Sequence, residues 1–298
     1  MNWLFLIILA AFLFAIVDVF DKIFSCQKIK SVYTLSVLTG IITVFFTSFL
    51  LFFVNLKIGL GWPLFFIVIS QIFYFLLWIF WWKGLRATEV SRSTAIYSSN
   101  PIYTSLIAVI FLSEQLSIIK WIAIFLIVAG TILCSYEKKE NKKTSSFNIM
   151  YLLIILAALC ASLGNIFSKV ALQTIHPFLA DILAAYVGLP LCLSLLFKKE
   201  VLSETVASIR NKEIIIPLII RGFISSLAVV FFYLAMQAGP ISLVSAAYGV
   251  NPVFVFAISI FLSLFFPKIN KENLSREVLF LKFLAIFLIV GGVVLINF

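Results

Sequence analysis

The chain contains one stretch of sequence twice, and this duplication restricts the possible fold more than any other feature. Residues 80–130 and 231–292 share an ordered set of amino acids. The matched positions, 151 residues apart, are Ala87/Ala238, Ser91/Ser242, Ala95/Ala246, Tyr97/Tyr248, Asn100/Asn251 and Pro101/Pro252. The match extends to 122–130 with 284–292, at an offset of 162, and to 9–23 with 156–170, at an offset of 147. We infer that a unit of about 150 residues was duplicated, so the fold should contain two similar halves.

Long apolar runs fill both halves. Of the 298 residues, 63% are hydrophobic and only 11% are charged, and the mean hydropathy is +1.20. A soluble domain carries about a quarter of its residues as charged side chains. A transmembrane barrel needs alternating apolar and polar residues, whereas these runs are continuous over about 20 residues, the length at which a helix crosses a bilayer. The sequence therefore predicts an all-α integral membrane protein.

Hydropathy predicts ten membrane spans. They lie at roughly 3–25, 31–54, 62–83, 91–113, 117–136, 149–171, 178–197, 214–236, 241–265 and 279–297. Longer loops are predicted at 137–148, 198–213 and 266–278. We interpret 1–136 as a first repeat of five helices, 137–148 as a charged linker and 149–298 as a second repeat of five. Because five is odd, the second repeat must enter from the opposite side, which predicts two inverted repeats around a central cavity.

Basic residues are distributed unevenly between the predicted loops. Of the 22 Lys and Arg residues, all but Lys57, Lys120 and Lys169 lie in or near loops that follow odd-numbered spans. The positive-inside rule places these loops in the cytoplasm and both termini outside. The basic residues form no single patch and accompany no recognition motif, so we expect no nucleic-acid partner.

The sequence offers no motif for a metal, a cofactor or catalysis. Cys26, Cys134, Cys160 and Cys192 are scattered without CxxC spacing, and His176 has no second ligand at metal spacing. No GxSxG, HExxH or P-loop pattern occurs. We therefore expect neither a cofactor nor enzymatic activity.

Each repeat places an Asn-Pro pair near the middle of a predicted span, three residues after a tyrosine. The pairs are Tyr97-x-x-Asn100-Pro101 and Tyr248-x-x-Asn251-Pro252. A proline inside a helix frees the carbonyl four residues earlier, and in a membrane that carbonyl must face protein or water. One hypothesis is that the two tyrosines and two asparagines line a central cavity and bind substrate. The other is that Asn-Pro only bends each helix to fit its neighbours.

Ionisable residues near the end of the first span of each repeat form a second candidate site. Asp18, Asp21 and Lys22 align with Asn165, Ser168 and Lys169. Asp18 and Lys22 are four residues apart and could pair on one helix face. Ionisable groups inside a span are costly and suggest function, so Asp18, Lys22 or Lys169 could balance substrate charge and Asp18 could carry a coupling proton. Alternatively, the lysines extend to the lipid headgroups.

Further polar and aromatic residues occur within the spans. Gln71, Tyr74 and Trp78 share one helix face, and Tyr74 and Trp78 could offer aromatic contacts to a substrate or pack on a neighbouring helix. Asp181, near the start of its span, fits a headgroup role as well as a transport role. Three tryptophans are predicted to anchor the membrane interface: Trp62, Trp81 and Trp82.

The run from Gly84 to Leu133 resembles the EamA domain of the drug/metabolite transporter superfamily. The shared features are the GLRAT turn, the mid-helix proline, FLSEQLS with Glu114, and a glycine-ended last helix. The second copy matches through QAGPISLVSAAYGVNPVF and FLIVGG. The resemblance implies ten helices in two inverted repeats, alternating access and cytoplasmic termini, the reverse of the charge bias. Glu114 has no counterpart in the second repeat, which favours a structural role in one half.

Together these features predict a secondary transporter or exchanger in a bacterial inner (plasma) membrane. Its expected partners are the lipid bilayer, a small polar or amphipathic metabolite and, for active transport, a coupling proton or ion. An amino acid or related compound is the substrate class that the resemblance implies. Two alternatives remain open: a flippase for a lipid-linked substrate, and a membrane scaffold or sensor that transports nothing.

Overall fold

The computed structural model describes residues 2–24, 28–54, 61–87, 93, 96–134, 149–265 and 276–296. Within them lie twelve α-helices: α1 Trp3–Ile23, α2 Val32–Thr47, α3 Trp62–Ala87, α4 Asn100–Phe111, α5 Ile118–Cys134, α6 Ile149–Leu172, α7 Pro177–Leu193, α8 Lys199–Arg210, α9 Lys212–Ala238, α10 Ile241–Ala247, α11 Asn251–Phe265 and α12 Arg276–Leu295. Short 3₁₀ segments extend α2 (Ser48–Phe53) and α7 (Ser194–Phe197) and join α10 to α11 (Tyr248–Val250).

Seven helical segments in the described part of the chain are long and apolar enough to cross a membrane. They are Trp3–Asp21, Val32–Phe53, Trp62–Gly84, Tyr151–Leu172, Pro177–Phe197, Lys212–Ala238 and Ile241–Ile258. Three shorter apolar helices accompany them: Asn100–Phe111, Ile118–Leu133 and Phe280–Leu295. The prediction of an all-α, multi-pass integral membrane protein is confirmed.

Side-chain caps begin four of these helices. Asn2 accepts from the N–H of Leu4 before α1, and Ser31 accepts from that of Tyr33 before α2. The same arrangement occurs at His176 before α7 and at Asn211 before α9. Each cap satisfies a backbone donor that the first helical turn leaves unpaired.

The segment 198–213 contains a helix, so its prediction as a loop was wrong. Helix α8 buries one side of its surface, formed by Val201, Thr205 and Ser208. An apolar stripe of Leu202, Val206 and Ile209 stays exposed at helical spacing. The charged residues between these positions lower the local hydropathy, so hydropathy alone does not predict this helix.

Helix α8 is attached to α2 through a single carboxylate. Glu204 accepts hydrogen bonds from the N–H groups of Lys30 and Ser31, at 2.7 and 3.1 Å, and from the hydroxyl of Thr34 at 2.8 Å. A carboxylate at a helix N-terminus pairs with unpaired N–H groups and with the positive end of the helix dipole. This contact joins an element of the second sequence half to one of the first.

Equivalent helices of the two sequence halves pack on each other in antiparallel directions. A Cβ built on Gly130 of α5 would lie 2.7 Å from Ile289 Cγ1 and 2.9 Å from the carbonyl oxygen of Ala285 in α12. A Cβ built on Gly292 would meet the equivalent atoms of the other helix, Ile127 Cγ1 at 2.6 Å and Ala123 O at 2.9 Å. As residue numbers increase along α5, the numbers of the facing residues in α12 decrease, so the two helices are antiparallel. Only glycine allows these backbones to approach so closely.

Other contacts between helices also occur twice, once in each of two equivalent arrangements. Helix α1 packs on α9 and α11, and its equivalent α6 packs on α3 and α4. Buried alanines lie at matching positions on α1 (Ala10 and Ala11) and α6 (Ala157 and Ala158). Small side chains let both helices pack closely on the opposite half.

One predicted interface anchor is buried instead. Trp62 is largely exposed at the start of α3, as expected for an anchor. Trp82 is 2% exposed and packs with Phe24, Leu35 and Leu218. Because α3 continues to Ala87, beyond its predicted end, Trp82 lies more than a turn inside the helix. Its prediction as an anchor was therefore wrong.

Candidate functional site

Both Asn-Pro pairs begin a helix. In the first half, α4 starts at Asn100 with Pro101 in its first turn, after a turn at Ser98 and Ser99. In the second half, the 3₁₀ segment Tyr248–Val250 separates α10 from α11, which starts at Asn251. A proline in the first turn breaks no helical hydrogen bond, because the backbone N–H that it lacks would have no partner within the helix at that position. The described structure thus has a break at each Asn-Pro pair.

The two asparagines make equivalent hydrogen bonds. Asn100 Nδ2 donates to the carbonyl oxygen of Ala158 in α6 at 2.8 Å. Asn251 Nδ2 donates to the carbonyl oxygen of Ala11 in α1 at 3.2 Å. Ala11 and Ala158 are themselves equivalent, 147 residues apart. Each break is therefore attached to the first helix of the opposite half.

The remaining bonds of the asparagines differ between the halves. Asn100 Nδ2 also donates to Ser162 Oγ at 2.9 Å, and Ser245 Oγ donates to Asn100 Oδ1 at 3.1 Å. Asn251 Nδ2 instead donates to the carboxylate of Asp18 at 3.1 Å. Both asparagines are buried within the protein. The structure thus gives both amides an architectural contact.

The motif tyrosines converge beside these breaks. Tyr97 and Tyr248 lie near each other, and both lie near the carboxylate of Asp18. Tyr74 is a further neighbour of Tyr97, and its hydroxyl donates to Asn165 Oδ1 at 2.7 Å. Asn165 is the equivalent of Asp18. Hydroxyl, carboxylate and amide groups from both halves therefore lie together.

Aromatic rings surround the two tyrosines in equivalent positions. Tyr248 packs edge to face on Phe14 and Phe232, each with ring centroids 5.9 Å away. Tyr97 packs on Trp81, the equivalent of Phe232, at 5.0 Å. Such rings offer an apolar surface with a polar edge, which suits a small amphipathic solute.

Trp78 lies on α3 beside these aromatic residues. Its ring centroid is 5.3 Å from that of Trp82, and its side chain packs against a small cluster of Leu77, Cys160 and Ala161. That cluster also contacts Tyr74 and Tyr97. Trp78 therefore packs against the same cluster as Tyr74 and Tyr97.

The two candidate lysines differ in what the structure describes. Lys169 Nζ donates to the carbonyl oxygens of Met236 and Gly239, at 2.5 and 2.8 Å. A cation there satisfies unpaired carbonyls at the C-terminus of α9. The backbone of Lys22 belongs to α1, but its side chain lies outside the described part of the structure.

Glu114 joins the two halves in the way that a structural role predicts. Its carboxylate accepts from the N–H groups of Ile241 and Ser242, at 2.7 and 3.2 Å, and from the Ser242 hydroxyl at 2.5 Å. These are the first residues of α10. A carboxylate from the first half therefore caps the broken span of the second.

Sequence reasoning missed one buried ion pair. Arg221 donates two hydrogen bonds to the carboxylate of Asp21, from Nε at 2.9 Å and from NH2 at 2.8 Å. Both side chains are buried. Arg221 was counted among the loop residues, but it lies within α9 and the pair joins α9 to α1. The available signal was its position inside the predicted span 214–236.

Comparisons with known proteins agree with this architecture. The sequence profile of the EamA-like transporter family matches residues 1–136 and 148–298. Among curated proteins, no sequence matches the chain. One solved structure, described only as "Crystal structure of protein", has a TM-score of 0.74 and 14% sequence identity, and the match covers 99% of this chain and 98% of that chain. This likeness shows a shared fold alone. The family match, which spans nearly the whole sequence, shows that the chain belongs to the EamA-like transporter family, of the drug/metabolite transporter type.

Proposed function

We propose that the protein is a secondary transporter or exchanger that moves a small polar or amphipathic metabolite by alternating access. Family membership supports membrane transport. The observation that carries the finer proposal is that groups from both halves meet at Asp18: Asn251 donates to its carboxylate, and Tyr97 and Tyr248 lie near it. A site built from both halves changes shape when one half moves against the other, which alternating access requires.

The proposed architecture is two inverted five-helix repeats, 1–136 and 149–298, joined by the linker 137–148. In this arrangement the three shorter apolar helices also cross the membrane, and α8 lies between spans. The antiparallel packing of α5 on α12 supports the inversion, because a two-fold axis in the membrane plane reverses each equivalent helix. The contacts that Asn100 and Asn251 make to the opposite half support the same axis.

In the proposed site, the hydroxyls of Tyr97 and Tyr248 hydrogen-bond the substrate, and Asp18 accepts from a cationic group such as the amine of an amino acid. Asn100 and Asn251 hold the broken helices in place and exchange their hydrogen bonds with substrate as the halves move. This assignment favours amino acids and related amines as the substrate class.

Tyr74 and Trp78 form an aromatic side of this site. Lys22 and Lys169 are the candidates for balancing negative charge on the substrate, and Lys169 would have to leave the carbonyls that end α9 to do so. We place the protein in a bacterial inner (plasma) membrane. A gradient of ion or solute supplies the energy, since the sequence has no nucleotide-binding motif.

A ligand screen followed by transport tests this function. The purified protein is heated with amino acids and related metabolites, and a ligand present at 100 times its Kd should stabilise it by about 2.7 kcal/mol. Each stabilising compound is then offered to proteoliposomes. We expect uptake above that of protein-free liposomes for at least one of them. Stabilisation without uptake of any compound would instead indicate a sensor or scaffold.

A further inference from the structure

A buried carboxyl group lies in α7, apart from the proposed substrate site. Asp181 is 3% exposed and follows the N-cap residue His176 by five positions. Its Oδ2 atom is enclosed, and no described residue donates a hydrogen bond to it. An unpaired carboxylate oxygen inside a membrane protein is costly. Binding a proton removes that cost.

A chain of polar groups connects Asp181 with the proposed substrate site. Tyr233 of α9 lies near Asp181, and Gln71 of α3 and Ser168 of α6 face the hydroxyl of Tyr233. Tyr233 also lies near Tyr74, and Tyr74 and Tyr97 pack against one cluster of buried residues. A series of polar side chains therefore extends from Asp181 toward the proposed substrate site.

No cation of the packed helices neutralises Asp181 within the described structure. Helix α7 packs against α2, α3, α6 and α9. On α6, Lys169 donates to the carbonyls that end α9, and on α9, Arg221 is paired with Asp21. On α3, Lys83 lies over the ring of Tyr33, the ionisable residue of α2.

The other charged residues of α9 are remote. Lys212 and Glu213 begin that helix and lie about 30 Å along it from Tyr233, at 1.5 Å per residue. Asp18 differs from Asp181 in that Asn251 donates to its carboxylate. Of Asp18 and Asp181, Asp181 is therefore the one whose ionised form has the weaker support.

We propose that Asp181 is a proton-binding site that couples substrate movement to a proton gradient. The inference rests on the proposed transport function. In one conformation a carboxylate oxygen of Asp181 takes a proton from water and forms an O–H bond, which neutralises the group. In the alternate conformation that bond breaks and the proton leaves to water on the other side. Tyr233 and Tyr74 transmit the change of charge to the substrate site.

Infrared spectroscopy of the reconstituted full-length protein tests the proton site without a substrate. The wild type should show a protonated-carboxyl band whose intensity changes with pH, and Asp181→Asn should lack that band. Tyr233→Phe should shift the band, which keeps the test decisive if Asp181→Asn does not fold. A pH-dependent carboxyl spectrum that is identical in the wild type and both variants, or a spectrum without any pH dependence, would overturn the proposal.

Transport in proteoliposomes tests the coupling. A pH difference of one unit can drive about tenfold accumulation of a neutral solute that moves with one proton. We expect Asp181→Asn to lose this stimulation by the gradient. Ser226→Ala, which removes another buried oxygen without a hydrogen-bond partner among the described residues, should keep it. If Asp181→Asn is stimulated like the wild type, coupling at Asp181 fails while transport stands. If no compound is transported at all, the proposed function fails and the infrared result decides the proton site.

Discussion

Asn100 donates its side-chain N–H to the carbonyl oxygen of Ala158 across the boundary between the two halves, at 2.8 Å. In the equivalent pair, Asn251 of the second half donates to the carbonyl oxygen of Ala11 in the first half, at 3.2 Å. Each broken helix is thus held by the first helix of the other half. Relative movement of the halves must break or remake these bonds, so the same contacts contribute to stability and to transport.

Replacing either asparagine by alanine should lower thermal stability and uptake without preventing folding. Hydrogen bonds between membrane helices contribute about 0.6 kcal/mol on average and up to about 1.7 kcal/mol. Asn100→Ala should have the larger effect, because Asn100 also bonds Ser162 and Ser245. Thermal unfolding of the purified variants measures the loss. Gln173→Ala, an exposed amide at the end of α6, is the control, and equal melting temperatures in all variants would contradict this role.

Adding one methyl group at Gly292 should destabilise the protein. The new Cβ would lie 2.9 Å from the backbone oxygen of Ala123, and backbone cannot move aside cheaply. Overpacking of this kind costs about 1–3 kcal/mol. Gly291→Ala is a matched control, since no atom lies within 4 Å of the Cβ built there. Denaturant unfolding of both variants should separate them, and equal stability would mean that α5 and α12 are not packed as described.

Breaking the buried pair of Asp21 and Arg221 should be strongly destabilising. Asp21→Asn and Arg221→Gln each leave one charge without its partner, which costs about 3–5 kcal/mol. The double variant should recover much of the loss, because no lone charge remains. A double-mutant cycle of unfolding free energies gives the coupling between the two residues. Additive losses would show that the pair does not act as a unit.

Removing the carboxylate of Glu114 should loosen the start of α10. Glu114→Ala deletes a cap made by one side chain on the N–H groups of Ile241 and Ser242, a loss of about 1–2 kcal/mol. Glu114→Gln keeps an acceptor and should lose less. Hydrogen exchange at the amides of Ile241 and Ser242 measures the effect, and unchanged exchange in Glu114→Ala would argue against the cap.

The sequence was sufficient for the helical membrane fold and for the positions of both breaks. Hydrophobicity determines where a chain can cross a bilayer, and proline determines where a helix restarts. Because the duplication marks equivalent residues, it also identifies Asn100 and Asn251 as a pair. These properties are local or repeated, so a single sequence displays them.

Long-range partners were not predictable in the same way. Asp21 and Arg221 are 200 positions apart, and hydropathy does not show which helices meet. The contact of Glu204 with the start of α2 was not predictable either, because the charged residues of α8 made that segment look like a loop. The destination of Lys169, at the carbonyls of Met236 and Gly239, depends on how α6 packs beside the end of α9.

The most direct test of the central claim is exchange of a labelled ligand across proteoliposomes that contain Tyr97→Phe or Tyr248→Phe. The two hydroxyls should both contact the substrate, and each lost bond of about 0.5–1.5 kcal/mol should slow exchange about two- to tenfold. Tyr186→Phe, whose hydroxyl pairs with Ser48 instead, should exchange at the wild-type rate. Wild-type exchange in both the Tyr97 and the Tyr248 variants would contradict a site shared between the two halves.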